Sequence, residues 1–367
     1  MTLQLKIAVL LVLSVFIASC GGDSGSSDAQ FDRTSMLKST AENIILPNAA
    51  EAAAKANALN SELKSFVAAP TGEGLTKVQN AWKSAFLAYI NITPFNFGPG
   101  ENGLVGDLLS NVATFPANTG AIEERIVKKN VNFNDFARDT RGFLALDYLL
   151  FDLKNDNSRI LESFKSSPER GAYVAALAQH LASNLEDFNT KWASYQKEFV
   201  ANNGTSAGSS ISLLYNEFVR SYEAVKNFKV ALPLGKRPGQ LTAAPQLVEA
   251  YYSGISSEAV KAHVAIIEKI WKGVSKDSEK AIGFEAYLLT VEGGKALTEQ
   301  TKLQQETLAR TIAAELPTSE RLSLLIETKP ASVEKVLTEL QKGIRFYKSD
   351  MSSLLGISIT YTSGDGD

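Results

Sequence analysis

The chain reads as all-α, and three observations carry that reading. Alanine, leucine, lysine and glutamate, all good helix formers, dominate the 367 residues. Alternating β-branched runs, the mark of strands, are scarce. The eleven prolines cluster between periodic segments, away from helix interiors that they would break.

Taken in order, the first element is predicted over Met36 to Val67, where apolar residues recur at three- and four-residue steps around Ile44, Ile45, Ala52 and Leu59. Pro47 is expected to bend or break it early. Amphipathic segments then predict helices near 74–90, 134–152, 168–200, 211–228, 256–272, 278–292, 296–315 and 331–348. Residues 93–120 lack such a period, and an irregular stretch of that length tends to be functional or to cover something. Between Tyr195 and Ser212 the run N-N-G-T-S-A-G-S-S makes 201–211 the natural linker, with about four helices in 34–200 and about four in 212–350. Two domains, or one elongated helical body, is the expectation for a chain too long for a single core. A weak internal echo sets Gly142-Phe143, Ala145 and Tyr148-Leu149-Leu150 against Gly283-Phe284, Ala286 and Tyr287-Leu288-Leu289. Duplication of a four-helix unit explains it, and so does chance similarity between two amphipathic helices.

The ends of the chain read differently. Residues 1–19 form a lipoprotein-type leader, with Lys6 as a positive start and an apolar run of eleven from Ile7 to Ile17, too short to span a bilayer. Ile17-Ala18-Ser19-Cys20 then places the only cysteine where a bacterial lipoprotein signal puts its lipidated residue, which excludes an intrachain disulfide. An ordinary cleaved leader with an incidental cysteine is the alternative. Residues 20–33, containing G-G-D-S-G-S-S-D, read as a flexible tether holding a soluble domain off the lipid surface. The expected location is therefore the bacterial cell envelope, anchored to the membrane through Cys20 on a periplasmic or outer-membrane face. Residues 351–367 read as an acidic, glycine-rich tail; its single D-G-D unit is a weak calcium pattern and more simply a solvated end.

Composition and motifs exclude several chemistries. A net charge of -3 without any basic block argues against nucleic acid as a partner. The two histidines have no ligand at helical spacing: His180 is followed by Ser183 and Asn184, and His263 by Ile266 and Ile267, so no zinc face forms. His263 falls on the Val260, Val264, Ile267, Trp271 face and reads as a packed histidine. No nucleophile elbow or phosphate loop is present, and Gly293-Gly294 reads as a helix stop.

One segment carries more. Residues 142–147, G-F-L-A-L-D, resemble the G-x-H-x-x-E motif of the imelysin-like proteins, bacterial envelope proteins linked to iron uptake, with Leu144 in place of the histidine and Asp147 in place of the glutamate. Positions i and i+3 share a helix face, so the motif's pair reaches one metal or ligand; leucine has no donor, and only the carboxylate of Asp147 survives. Other pieces resemble the family in its order. They are Trp82, Phe95 to Pro99 with Thr93 where an acid is often found, Glu169, Arg170, Tyr173 and Trp192, Leu232 to Gly235, and Pro245 to Ser253 with Ala250 for a serine. The D-G-D ending is similar too.

The resemblance implies two four-helix-bundle-like domains with the site in the cleft between them, and it brings a peptidase label. Gly142 fits a close backbone approach. Asp147 is either at the edge of its apolar stripe facing water or paired inside the cleft. The reading favoured is a non-catalytic binding protein working beside other envelope iron-uptake proteins. Its cleft, built from Arg141, Gly142, Leu144, Asp147, Glu249 and Ser253, would hold a small ligand or a metal species, iron or calcium, with Asp147 as the metal contact. A peptidase-related hydrolase and a structural or partner-docking lipoprotein are the alternatives.

Overall fold

Short polar side chains fix where many of the helices begin. Asp32, Thr71, Asp107, Asn118, Asp156 and Ser167 each accept a hydrogen bond from a backbone amide two or three residues ahead, and a helix follows each. The computed structural model describes residues 31–101, 106–274 and 281–361. The leader, Cys20 and the tether up to residue 30, and the tail from 362 onward, lie outside the described residues.

In chain order the helices are α1 (Arg33–Thr40), α2 (Leu46–Ala68), α3 (Gly72–Ile90), α4 (Leu108–Val112), α5 (Thr119–Val127), α6 (Gly142–Leu150), α7 (Asn157–Ser166), α8 (Pro168–Ala201), α9 (Ser210–Ala224), α10 (Ser256–Lys272), α11 (Phe284–Leu288), α12 (Gly294–Glu315), α13 (Leu322–Thr328), α14 (Pro330–Arg345) and α15 (Ser352–Leu355). Wide π-helical turns occupy Ala41–Ile45, Val225–Ala231 and Phe346–Met351. No strand forms among the described residues, so the fold is all-α.

Pro47 does not break the first helix. The π turn before it carries the chain through, with Leu46 N–H reaching back to Ala41 O, and Pro47 falls in the first turn of α2 where a missing N–H costs little. The helix expected from 134 starts only at Gly142. Asn134 N–H and Ala137 N–H bond instead to the side chains of Asn132 and Asp135, local turns that compete with a helix. The helix expected at 278–292 is confined to α11 among the described residues, and α4, α5, α7, α13 and α15 were not anticipated.

In the first half, α2 packs along α8 and α3 while α6 closes on α3 and α8. Ala49, Ala52, Ala53 and Ala56 present a small-residue face that permits the close approach, and Trp82, Phe86 and Phe143 fill the space beyond it. Trp82 stacks on Phe86 at 5.0 Å and donates its indole N–H to Phe143 O at 3.1 Å. In the second half, α12 lies on α14, and α9 and α10 enclose Phe218, Trp271, Phe284 and Tyr347. Phe218 meets Tyr347 edge-on at 4.9 Å.

The halves meet directly: α10 packs on α3, and the Thr93–Phe95 turn packs on α9. The described residues from Asp32 onward form one compact unit, with 202–209 a short connection from α8 to α9. The internal echo has a shared packing logic. A Cβ on Gly142 would lie 2.2 Å from Val112 O, and one on Gly283 would lie 2.3 Å from Gly273 N, so each glycine admits a neighbouring backbone at a helix start. The phenylalanine after each is fully buried.

Candidate functional site

The motif helix α6 is held in place by its own first residues. Gly142 adopts φ 79, a conformation that favours glycine, and the chain of α4 presses against it. Arg141, buried beside it, donates to Phe133 O, to Asp135 O at 2.9 Å and to Asn111 Oδ1 at 2.6 Å. Its guanidinium therefore organises the 130–141 loop against α4; burial pulls its pKa down while Asp135 resists. Leu144 is packed in the interior.

Asp147 is 2 % exposed, which removes the water-facing alternative. Its Oδ2 accepts the N–H of Tyr252 at 2.9 Å and its Oδ1 the N–H of Ser253 at 2.9 Å, so one carboxylate from the first half grips a turn of the second. From the other side Arg321 donates to Tyr251 O and Tyr252 O, both at 3.1 Å. Ala250, at φ 56, and Gly254, at φ 75, supply the left-handed residues that this turn needs. Burial pushes the Asp147 carboxyl up to about 6, against the pull of the Ser253 and Tyr252 bonds and of Arg321.

That arrangement corrects the ligand role expected of the motif. Leu144 offers no donor, both Asp147 oxygens are committed to amides, and among the described residues no group of three or more His, Cys, Asp or Glu is placed to hold a metal ion. The metal expected on Asp147 from its hard oxygen donors, iron or calcium, does not fit here. Asp147 joins the halves structurally instead.

A cavity does open where the halves meet. It has a volume of about 750 Å³ and is bounded by Tyr89 of α3 and Thr93 just beyond it, Leu109, Ala113 and Phe115 around α4, the α9 face, Glu249, His263, and Thr360 and Tyr361. Glu249 is the one expected cleft residue that lines it; Arg141, Gly142, Leu144, Asp147 and Ser253 do not. Its polar groups are mostly paired. Glu249 is bonded to the buried Lys229, and Glu223 accepts from Lys348 Nζ at 3.0 Å and from the Tyr361 hydroxyl at 2.6 Å. Glu217 has a single counter-ion among the described residues, Arg220 at 3.1 Å, whose side chain is 45 % exposed. Burial pushes the Glu217 carboxyl up to about 7, opposed by Arg220 and reinforced by Glu101 and Asp107.

His263 is packed, as its helical face predicts, yet it also borders the cavity. Its Nε2 lies 2.5 Å from Ser221 Oγ and 3.1 Å from Thr93 Oγ1, and burial with the nearby Lys229 holds it neutral. Sequence reasoning missed Thr93, Glu217, Ser221, Glu223 and Lys229. One signal was there: Glu217, Ser221, Ala224 and Phe228 fall at helical spacing on a single stripe, mixing polar groups into a face that packs.

Comparison with known proteins places this geometry. The family model described as Imelysin, which carries a peptidase label, matches residues 45–345. Among solved structures the fold is similar to a candidate iron-regulated protein A precursor from Parabacteroides distasonis ATCC 8503, with a TM-score of 0.72, 15% identity, and coverage of 90% of this chain and 97% of that one. It is similar also to an imelysin-like protein from Psychrobacter arcticum 273-4, with a TM-score of 0.70, 16% identity and the same two coverages, 90% and 97%. No curated protein matches in sequence. With a family model spanning most of its length, the chain belongs to the imelysin family.

Proposed function

We propose that this imelysin-family chain is a binding protein of the bacterial cell envelope, anchored through Cys20, that takes a small molecule into the cavity between its halves. The observation that carries the reading is that cavity: about 750 Å³, walled by residues of both halves, with polar groups converging on an otherwise largely apolar surface. A bare metal ion suits it less well, because Glu249 and Glu223 are already neutralised by Lys229 and Lys348. One structural neighbour is named for iron regulation, which supports placing this protein beside the envelope's iron-uptake proteins.

A hydrolase is the second reading, favoured by the peptidase label and by the Ser221 Oγ to His263 Nε2 contact at 2.5 Å. Among the described residues, however, no carboxylate orients His263 Nδ1, so the pair lacks the third member that makes a serine a nucleophile. The test is native mass spectrometry and elemental analysis of the full-length protein purified from membranes. A stoichiometric bound molecule supports the binding reading. Empty protein that cleaves peptides, with cleavage lost on Ser221→Ala, replaces it with the hydrolase.

A further inference from the structure

We infer that the cavity recognises a small organic cation bearing N–H groups on an apolar body, and that Glu217 is the residue that receives its charge. This rests on the cavity being the ligand site. Three carboxylates line it, and they are not equivalent. Glu223 is held twice, by Lys348 at 3.0 Å and by the Tyr361 hydroxyl at 2.6 Å, and Glu249 is held by Lys229, itself buried. Glu217 is buried too but has, among the described residues, only Arg220, whose side chain is 45 % exposed and so still well solvated. An ion pair with one desolvated partner and one wet partner is poorly compensated, and an incoming cation improves it.

A second polar side chain, His263, lines the same cavity. Its Nε2 meets Ser221 Oγ at 2.5 Å, a hydroxyl that can give or accept a hydrogen, and Thr93 Oγ1 at 3.1 Å, whose own hydrogen goes to Ile90 O at 2.9 Å. The ring is neutral, and its Nδ1 is buried without a hydrogen-bond partner among the described residues. A buried carboxylate whose one counter-ion among the described residues is well solvated calls for a cation that brings N–H donors. Tyr89, Leu109, Ala113 and Phe115 supply the apolar wall that the rest of such a molecule would meet.

The test uses three ligands of one shape and different charge: benzylamine, benzyl alcohol and benzoate, titrated calorimetrically at neutral pH into the full-length protein in mild detergent. Benzylamine should bind tightest, and Glu217→Gln should weaken it by at least about tenfold. Arg220→Gln, which removes the competing counter-ion, should tighten it, a change of opposite sign that a damaged fold would not produce. Benzoate or benzyl alcohol binding as well as the amine, an unchanged affinity in Glu217→Gln, or weaker amine binding in Arg220→Gln would each overturn the charge assignment while leaving the cavity as a ligand site. Failure of all three to bind would overturn the cavity reading and this inference with it.

Discussion

Substituting Gly142 with alanine tests the packing of the motif helix in a way that its chemistry does not. The new Cβ would sit 2.2 Å from Val112 O and 2.4 Å from Val112 C, so the α4 backbone would have to retreat by about 1 Å to restore ordinary contact. It is not free to do so, because Arg141 ties Asn111, the residue before Val112, at 2.6 Å. Overpacking of this kind costs roughly 1–3 kcal/mol or more. Holding alanine at φ 79 adds about 1–2 kcal/mol. The loss of chain entropy in the unfolded state returns only about 0.4–1 kcal/mol. A net destabilisation of roughly 3 kcal/mol is expected, read from urea unfolding followed by far-ultraviolet circular dichroism. A loss below about 1 kcal/mol would refute the close approach of α4.

Two further predictions concern pH and one concerns location. Asp147 titrates at about 6 in the fold against 3.8 ordinarily, so its protonated form adds stability that is full below pH 3.8 and lost as pH rises through about 6. Because the amide of an Asp147→Asn variant does not titrate, the unfolding free energy of the wild type should fall relative to that variant by roughly 3 kcal/mol across the window; a constant difference would remove burial as the cause. Glu217, raised from 4.5 to about 7, behaves alike between those values, so wild type minus Glu217→Gln should fall by roughly 3 kcal/mol as pH rises, and a rise would mean that Arg220 outweighs burial. Cys20→Ser should abolish incorporation of radiolabelled palmitate and release the protein from membranes; unchanged membrane association would set the anchor aside.

Much of the fold was legible because helix period and breaker residues are local signals. The 256–272 and 168–200 segments show apolar residues at helical steps, and helices form there. The start of α6 was misplaced because Asn132 and Asp135 capture amides that a helix would use, a competition that periodicity does not register. Pro47 was misjudged for a related reason: a π turn absorbs it. The site was harder. Asp147 looked like a ligand because a family motif stood around it, while its partners, the amides of Tyr252 and Ser253, lie more than a hundred positions away and carry no side-chain signature. Glu217, Ser221 and His263 come together only through α9 meeting α10. Among the residues lining the cavity, only Glu249 was expected in a cleft, through the resemblance around Pro245 to Ser253.

On our proposal a small molecule occupies the cavity between the halves and Asp147 does not hold it. Ala224 borders that cavity, which no α6 residue lines, and a tryptophan there would intrude on the space. Native mass spectrometry of full-length protein from membranes should find the bound molecule in wild type and in Asp147→Asn, and lose it in Ala224→Trp. Retention in Ala224→Trp together with loss in Asp147→Asn would contradict the account and return the ligand to the motif helix.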